Sequence, residues 1–387
     1  MRYLLLPLSL LASWMPLAHS GDQPPSQAAE NRPAIATDRV GYGLSSSIDF
    51  IWWRPTENLT SYSHVVTQSQ ILGVGIDTAG YPKGHNTSIH YQWSPGFTVR
   101  FGVDARYDNW DVFADWTWYY NNTTNGRSAK AESALDTGSG LIGTENGLGI
   151  YGPWLGQWLP SDAGLMLSDV PVQPVSPGPF AHAHMQWILH YDTVNVEIGK
   201  SFKSRYNWLR PFFGIRALTM TRTVKAKYEE YANLGSLFTS VPNYFGLDRA
   251  QFKTKMDFSG LGPCVGIFDA LKLPCNFQLK GQLSLALLYG KGWQSEKLSL
   301  TNLAQGSPHL FQGSQFRDEG SWGPATNIQM RLGLDWTAHL CRNTKELVLG
   351  AAWDQNMWFL HQWSTSIHRG SAELGLGGVT LTMQFNY

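Results

Sequence analysis

Residues 379–387 read VTLTMQFNY and decide the fold class. Apolar and polar side chains alternate along this stretch, with Val379, Leu381, Met383, Phe385 and Tyr387 on one face and Thr380, Thr382, Gln384 and Asn386 on the other. Period-2 alternation predicts a strand with one apolar and one polar face. A C-terminal strand of this kind that ends on an aromatic residue is what the barrel-assembly machinery of bacterial outer membranes recognises. We therefore expect Phe385 and Tyr387 to form a C-terminal assembly signal.

The same alternation recurs upstream. Residues 97–107 (FTVRFGVDARY), 111–120 (DVFADWTWYY) and 327–338 (NIQMRLGLDWTA) each carry an aliphatic and aromatic face opposite a charged or small face. Repetition of this pattern strand after strand is typical of a membrane barrel, in which apolar side chains face lipid and polar ones face the interior. The sequence therefore predicts an antiparallel transmembrane β-barrel of the outer-membrane type.

The spacing of the strands supports this interpretation. Ten strands are predicted at about 42–54, 96–107, 110–121, 185–202, 207–222, 252–268, 277–290, 324–340, 346–362 and 371–387. The links between them alternate between long and short, as expected for short periplasmic turns and long external loops. The longest link, 122–184, is expected to be an extracellular loop. A further hairpin, formed by residues 66–76 and 87–93, would raise the number of strands to twelve, and chain length alone permits sixteen.

Composition and the N-terminal segment narrow the class of protein. The 387 residues contain 29 basic and 29 acidic side chains, so the net charge is zero. A nucleic-acid partner would require an excess of basic residues, and a mean hydropathy of −0.23 argues against a helical membrane protein. Residues 1–20 have the basic start, short apolar core and small-residue end of a secretory signal peptide. We expect residues 21–41 to be a periplasmic N-terminal tail and 42–387 to form the barrel.

Seven short motifs resemble those of the Legionella-type major outer membrane protein family and the related chlamydial MOMP-like proteins. They are WSPGF (93–97), WDVFADWT (110–117), LRPFFGIR (209–216), GLGP (260–263), LLYG (287–290), RLGLDW (331–336) and LGGVTL (376–381). Their order along the chain covers nearly all of residues 42–387. The resemblance implies a porin that is also a major surface antigen and takes part in host-cell contact. With three cysteines, the chain departs from the cysteine-rich chlamydial proteins, which puts a disulfide-linked coat in doubt.

Charged residues on the polar faces are the candidates for lining the lumen. They are Arg100, Asp104, Arg106, Asp115, Arg210, Arg216, Lys280, Arg331 and Asp335. In one interpretation they line a water-filled pore, and the basic majority gives a weak preference for anions. In the other they pair with each other and fill a narrow barrel, as side chains do in small barrels. The sequence favours neither interpretation.

Aromatic residues near the outer ends of the strands are expected to form a girdle at the membrane interface. They are Trp52, Trp53, Trp116, Trp118, Tyr119, Tyr120 and Trp358. Trp154 and Trp158 lie within the long loop, where no girdle is expected, and are candidates for contact with a partner. Cys264 and Cys275 flank one short turn and form a candidate disulfide, with free thiols as the alternative.

Motifs for catalysis or cofactor binding do not stand out. His182 and His184 form a pair without the carboxylate or cysteine neighbours that a metal site needs, and no nucleophile elbow, P-loop or HExxH motif occurs. We therefore expect no enzymatic activity, cofactor or metal. The expected partners are outer-membrane lipid and the barrel-assembly machinery, and a homo-oligomer or a host surface stays open. The predicted function is passive diffusion of small hydrophilic solutes. The alternative is a non-conducting structural or adhesive barrel that binds partners through its loops.

Overall fold

The computed structural model describes residues 42–57, 61–70, 83–105, 109–128, 141–143, 149–151, 180–204, 206–231, 249–302, 309–311, 315–317, 320–340, 345–360 and 372–387. Ten long strands within these residues form the wall of the molecule. In chain order they are β1 (Tyr42–Glu57), β2 (Ser94–Ala105), β3 (Trp110–Ser128), β4 (Phe180–Lys200), β5 (Asn207–Tyr231), β6 (Arg249–Lys272), β7 (Phe277–Asn302), β8 (Ser321–Leu340), β9 (Lys345–Leu360) and β10 (Ala372–Asn386). Each corresponds to one of the ten strands predicted from the sequence.

The wall is a closed antiparallel barrel. Each strand pairs with the next in chain order, and β10 pairs back with β1 from Ser45↔Asn386 to Glu57↔Leu374. Closure leaves no wall strand with an unpaired edge, which is what allows a sheet to stand in lipid. The predicted fold class is confirmed.

The links divide between the two ends of the barrel as the sequence predicted. Those at one end are short, at 106–109, 201–206, 273–276 and 341–344, and those at the other are 58–93, 129–179, 232–248, 303–320 and 361–371. Asn109 and Asn276 lie in two of the short turns with φ of 61° and 64°, a left-handed conformation that asparagine tolerates. Short turns face the periplasm in barrels of this class.

A hairpin does form in this link, at residues 61–70 and 83–88 rather than at the predicted 66–76 and 87–93, and it does not join the wall. Strands Ser61–Gln70 and Lys83–Ser88 pair with each other, and the first also pairs with Leu141–Gly143 and Gly149–Tyr151. Strands β1 and β2 pair directly, up to Trp53↔Ser94, which leaves no place for the hairpin between them. The twelve-strand alternative is therefore wrong. Three further short strands, Phe202–Lys203, His309–Phe311 and Gln315–Arg317, pair with β5 or β7.

An apolar band surrounds the outside of the barrel in its short-turn half. Phe101, Leu287 and Leu332 are 62%, 55% and 63% exposed, and they represent a larger set of outward aliphatic and aromatic side chains. Polar side chains alternate with them and point inward. The band has the apolar-out arrangement of a lipid-facing surface.

Above the band, the polarity of the two faces is reversed, so that polar side chains point outward and apolar ones inward. The outer part of β6 places Arg249, Gln251, Lys253, Lys255 and Asp257 outside, and Ala250, Phe252, Thr254, Met256 and Phe258 inside. Strands β3 to β7 extend furthest in this direction, so their outer parts form a wall surrounded by water with an apolar interior. Most of these strands extend beyond their predicted ends, because their outer parts carry polar rather than apolar side chains on the outer face.

The aromatic residues near the outer strand ends divide between two sides of the wall. Trp52 and Trp116 are exposed on the outside, as the girdle prediction requires. Trp53, Tyr119 and Trp358 are at most 2% exposed and lie inside, so their assignment to the girdle was wrong. Successive side chains of a strand point to opposite faces, so adjacent aromatics cannot both meet lipid.

The long loop is shorter than predicted, because β3 continues to Ser128 and β4 begins at Phe180. Residues 122–128 and 180–184 therefore belong to the wall rather than to the loop. The predicted signal peptide and N-terminal tail lie outside the described residues. Among the residues that are described, no helix has the length and apolarity needed to cross a membrane.

Candidate functional site: the barrel interior

The predicted lumen residues lie on the inner face of the wall. Within the apolar band the interior contains Arg100, Asp115, Arg210, Arg216, Lys280, Arg331 and Asp335. Asp104 lies nearer the short turns, 3.7 Å from the Lys203 ammonium, and is partly exposed. Arg106 lies outside the described residues. Alternation along one strand shows that these side chains point inward. It does not show which side chains they contact, because their partners belong to other strands.

Ion pairs lie in the interior next to the short turns. Arg210 Nε donates to Asp111 Oδ1 at 2.7 Å, and Arg210 Nη1 donates to Glu197 Oε2 at 3.2 Å. All three side chains are at most 5% exposed. On the far side of the barrel Lys280 pairs with Asp335. Each of these five charges therefore has an opposite charge in contact, which lowers the cost of burying it.

Two arginines occupy the centre of the interior. Arg331 Nε donates to Asp354 Oδ1 of the adjacent β9 at 2.6 Å, and its Nη1 donates to Asp49 Oδ2 of β1 at 3.0 Å. Arg100 Nη2 lies 3.4 Å from Glu197 Oε2, two strands away. The long reach of the guanidinium groups lets them tie together strands that do not pair through their backbones.

Arg216 spans the interior at a height nearer the long loops. Its Nε donates to Asn195 Oδ1 at 2.5 Å, and its Nη2 donates to Gln329 Oε1 at 3.1 Å, while Nη1 donates to Asn327. Strand β5, which carries Arg216, is three strands from β8, which carries Asn327 and Gln329. The contact therefore crosses the lumen.

The contact between Tyr191 and Asn356 joins opposite walls. Asn356 Nδ2 of β9 donates to the Tyr191 hydroxyl of β4 at 3.0 Å, and the ring of Tyr191 lies 6.1 Å from that of Trp358. In a ring of ten strands, β4 and β9 are five strands apart in either direction. These side chains therefore span the full width of the barrel and leave no open passage between them.

Removing the Tyr191 hydroxyl tests this cross-lumen contact. Tyr191→Phe is expected to lower the free energy of unfolding by about 1–3 kcal/mol, because a buried amide loses its hydrogen-bond partner. The free energy of unfolding is measured by urea titration of the barrel in detergent, with the folded fraction read from heat-modifiable migration on a gel. The matched control is Tyr289→Phe, since Tyr289 is 60% exposed on the outer face. Equal stability of the two variants would contradict a sealed interior at Tyr191.

A second contact across the lumen, the ion pair of Glu57 and Arg222, lies above the apolar band. Glu57 of β1 pairs with Arg222 of β5, and its Oε2 accepts hydrogen bonds from Trp187 Nε1 at 3.0 Å and from the Tyr91 hydroxyl at 3.3 Å. Burial raises the pKa of the Tyr91 hydroxyl well above its usual range, so Tyr91 stays protonated and remains a donor.

Apolar side chains fill the interior around the ion pair of Glu57 and Arg222. Trp53, Trp187, Trp358, Tyr119, Tyr191, Tyr228, Phe252, Phe258 and Ile51 are the largest of the fully buried side chains. They belong to one contiguous hydrophobic cluster contributed by strands all round the wall. This core was not predicted from the sequence, because apolar side chains on alternating strands were assigned to the lipid face. The signal was present in residues 249–258, where charged and apolar positions alternate with the charged set facing outward.

Two cavities lie inside the described wall, and polar or charged residues make up most of their lining. One cavity of about 40 Å³ is lined by Asp49, Tyr191 and Arg216, among others, and a second of about 100 Å³ lies nearer the short turns, against Trp208 and Gln384. Arg100 and Arg331 line both cavities. These volumes suit a few water molecules and are well below the ~300 Å³ of ligand sites.

The interior within the apolar band is nearly neutral. The predicted set omitted Asp49, Asp111, Glu197 and Asp354, all of which contact a predicted basic residue. With them, the described interior of this part holds five basic and six acidic side chains, so the basic majority of the prediction was wrong. Alternation could have found all four, since each follows an apolar or aromatic residue on its strand.

The candidate disulfide does not form, since Cys264 and Cys275 are both free. Cys264 is buried in the middle of β6, opposite Ala286 of β7, while Cys275 is exposed in the turn after this strand. The eight residues from Cys264 to the strand end rise about 26 Å. A disulfide needs Cα atoms within about 7 Å.

The remaining candidates are outward-facing or undescribed. Phe385 and Tyr387 end the last strand, where the Tyr387 amide donates to the Leu44 carbonyl at 2.8 Å, and their role in assembly stays a prediction. His182 lies 3.0 Å from Ser128 Oγ on the exposed face of β4. Trp154 and Trp158 lie outside the described residues. The described part contains no group of three or more His, Cys, Asp or Glu side chains arranged to bind a metal.

Several solved structures are similar to this barrel. The outer membrane protease OmpT from Escherichia coli has 8% sequence identity and a TM-score of 0.34, with 91% of this chain and 99% of that chain covered. A major outer membrane protein from Thermus thermophilus has 9% identity and a TM-score of 0.28, covering 89% and 99%. A Pseudomonas aeruginosa FadL homologue has 11% identity and a TM-score of 0.28, covering 89% and 90%. No curated protein matches the sequence.

The family match extends over the whole barrel. The model of the family described as Legionella pneumophila major outer membrane protein precursor matches residues 42–387, from the first residue of β1 to the last residue of the chain. This range includes every wall strand and all seven motifs singled out above. The chain therefore belongs to this family of major outer membrane proteins, and it is a β-barrel protein of the bacterial outer membrane.

Proposed function

We propose that this protein is a non-conducting surface barrel, which uses the outer membrane as an anchor and presents its long loops as a structural or adhesive surface. The observation that carries the proposal is the contact between Asn356 and Tyr191 across the full width of the lumen. A general diffusion pore needs a continuous aqueous path at every level. At this level side chains from opposite walls are in contact, and the cavity beside them measures about 40 Å³.

The energetics of the interior support a stable seal. Glu197, Arg210 and Asp354 are at most 5% exposed, so their charges have been removed from water. Separating such pairs without rehydrating them leaves uncompensated buried charges, at about 3–5 kcal/mol for each broken pair. The apolar core above them would also have to come apart. A lumen built in this way favours a rigid support for loops over a path for solutes.

The loop-bearing end of the wall suits a surface role. Strands β3 to β7 extend well beyond the apolar band, with polar side chains outside and packed aromatic side chains inside. The loops 58–93 and 129–179 leave the barrel at this end. Host or envelope contacts through these loops belong to the proposal, which includes no catalytic step.

Passive diffusion of small solutes, the function predicted from the sequence, is the second candidate. The two polar cavities favour it, because they share Arg100 and Arg331 and lie one above the other along the interior. Rearrangement of these side chains would join the cavities to the periplasmic end. For a path to continue towards the loops, the ion pair of Glu57 and Arg222 would still have to separate and the apolar core would have to come apart.

Planar-bilayer recording of the purified, folded protein tests the two candidates. We expect no stepwise conductance in 1 M potassium chloride, because cross-lumen contacts and the apolar core occupy the described interior. A wide diffusion porin, reconstituted in the same lipid, serves as the positive control, and heat-modifiable migration shows that the protein is folded. Reproducible conductance steps that scale with salt would overturn the proposal in favour of passive diffusion.

A further inference from the structure

Basic side chains dominate the outer face of β5, β6 and β7 above the apolar band. Beyond Thr219, Ser259 and Tyr289, this face holds seven basic and two acidic side chains among the described residues. The basic ones are Lys225, Lys227, Arg249, Lys253, Lys255, Lys291 and Lys297, and the acidic ones are Glu229 and Asp257. The chain as a whole is neutral, so this local excess is unusual.

Three lysines form a row across the strands. Lys225 of β5 pairs in register with Lys253 of β6, which pairs in register with Lys297 of β7. All three side chains are exposed. Like charges placed directly opposite each other on neighbouring strands destabilise a sheet. The row therefore has an electrostatic cost that a bound anion would remove.

The nearby carboxylates do not neutralise this lysine row. Glu229 Oε1 contacts Lys227 Nζ at 2.5 Å and Arg249 Nε at 3.1 Å, and Asp257 Oδ2 contacts Lys255 Nζ at 2.7 Å. Within the described residues, Lys253 and Lys297 have no carboxylate within ion-pair distance, and Lys225 donates to the neutral Gln186 at 3.2 Å. Three adjacent ammonium groups therefore face the solvent without a counter-charge from the described wall.

Below the lysine row, at the upper boundary of the apolar band, lies a group of aromatic side chains that we call the aromatic edge: Tyr289, Trp293 and Trp322. Tyr289 of β7 stacks on Trp322 of β8 with ring centroids 5.7 Å apart, and Lys291 lies over the ring of Trp293 at 5.3 Å. Below them Leu287 is 55% exposed in the apolar band. From Leu287 to Lys297, one face of β7 thus presents an apolar surface, then aromatic rings and ammonium groups, over about 25 Å of height.

We propose that this face binds the lipopolysaccharide of the outer leaflet through its phosphorylated sugar headgroup. The acyl chains lie against Leu287, the sugars lie against the aromatic edge, and phosphate groups bridge the lysine row. Phosphate oxygens are strong acceptors for ammonium groups. A soluble polyanion would match the lysines but would make no use of the apolar and aromatic surfaces directly below them. The continuity of the three surfaces therefore selects an amphiphile.

Binding of rough lipopolysaccharide to the folded full chain in detergent tests the proposal. The test variant carries Lys225→Gln, Lys253→Gln and Lys297→Gln. The matched control carries Lys200→Gln, Lys272→Gln and Lys345→Gln, which removes the same charge near the short turns at the other end. Titration calorimetry at low and at high salt measures the affinity, and heat-modifiable migration shows that each variant is folded.

The expected result is at least a tenfold loss of affinity in the test variant at low salt, with the control variant close to the wild type. The wild type is also expected to bind dephosphorylated lipid more weakly, and to bind a soluble sulfated polysaccharide more weakly than the lipid. Equal affinity of the test and control variants would overturn the proposal. Tighter binding of the soluble polyanion than of the lipid would overturn it as well.

Discussion

Replacing Arg331 by methionine is expected to lower the free energy of unfolding by about 3–5 kcal/mol. The substitution keeps an unbranched side chain in the centre of the interior but leaves Asp49 and Asp354 without their shared cation. Both carboxylates are at most 7% exposed, so water from the adjoining cavities replaces the guanidinium group only in part. Thr380 Oγ1 still donates to Asp354 Oδ2 at 2.5 Å, which offsets only part of the loss. Urea unfolding in detergent measures the change.

The matched control for Arg331 is Lys203→Met. Lys203 lies 3.7 Å from Asp104, but the two side chains are 54% and 35% exposed, so this pair contributes at most about 1 kcal/mol. A large difference between the two variants shows that the central arginine holds buried, paired carboxylates rather than solvated ones. Similar stabilities, together with an altered ion preference in bilayer recordings, would instead indicate an aqueous pore in which Arg331 is solvated.

Leu332→Arg is expected to prevent assembly of the barrel. Leu332 is 63% exposed on the lipid face of β8, between the outward-facing Trp322 and Trp336. An arginine near the bilayer midplane of a barrel costs about 2–4 kcal/mol. The strand is central to the wall, pairing with both β7 and β9. Refolding into lipid vesicles should yield only the slow-migrating, unfolded band on a gel without prior heating.

Thr124→Arg provides the control for this substitution. Thr124 is exposed on the outer face of β3 but lies above the apolar band, where an arginine meets water and costs about 0–1 kcal/mol. We expect this variant to assemble like the wild type. If Leu332→Arg also assembled normally, the lipid-facing assignment of β8 would be incorrect.

Local alternation accounts for most of what could be predicted about the wall. Leu332 and Arg331 could be assigned to opposite faces from the sequence, because a strand has a side-chain period of two that does not depend on distant contacts. The positions of Gly and polar clusters likewise placed the ten strands and their links. The rule failed where the surroundings changed: above the membrane, Phe252 points inward and Lys253 outward, since water has replaced lipid outside.

Partners across the lumen could not be predicted in the same way. Tyr191 meets Asn356, and Glu57 meets Arg222, because ten strands of a given tilt and stagger close into a ring of one width. Strand alternation shows that these side chains point inward but not which of them touch. Whether inward charges line water or form ion pairs depends on that width. The sequence by itself therefore determined an outer-membrane barrel of ten to twelve strands and its lipid face, whereas only the tertiary structure decided that the strands number ten and which inward side chains meet across the lumen.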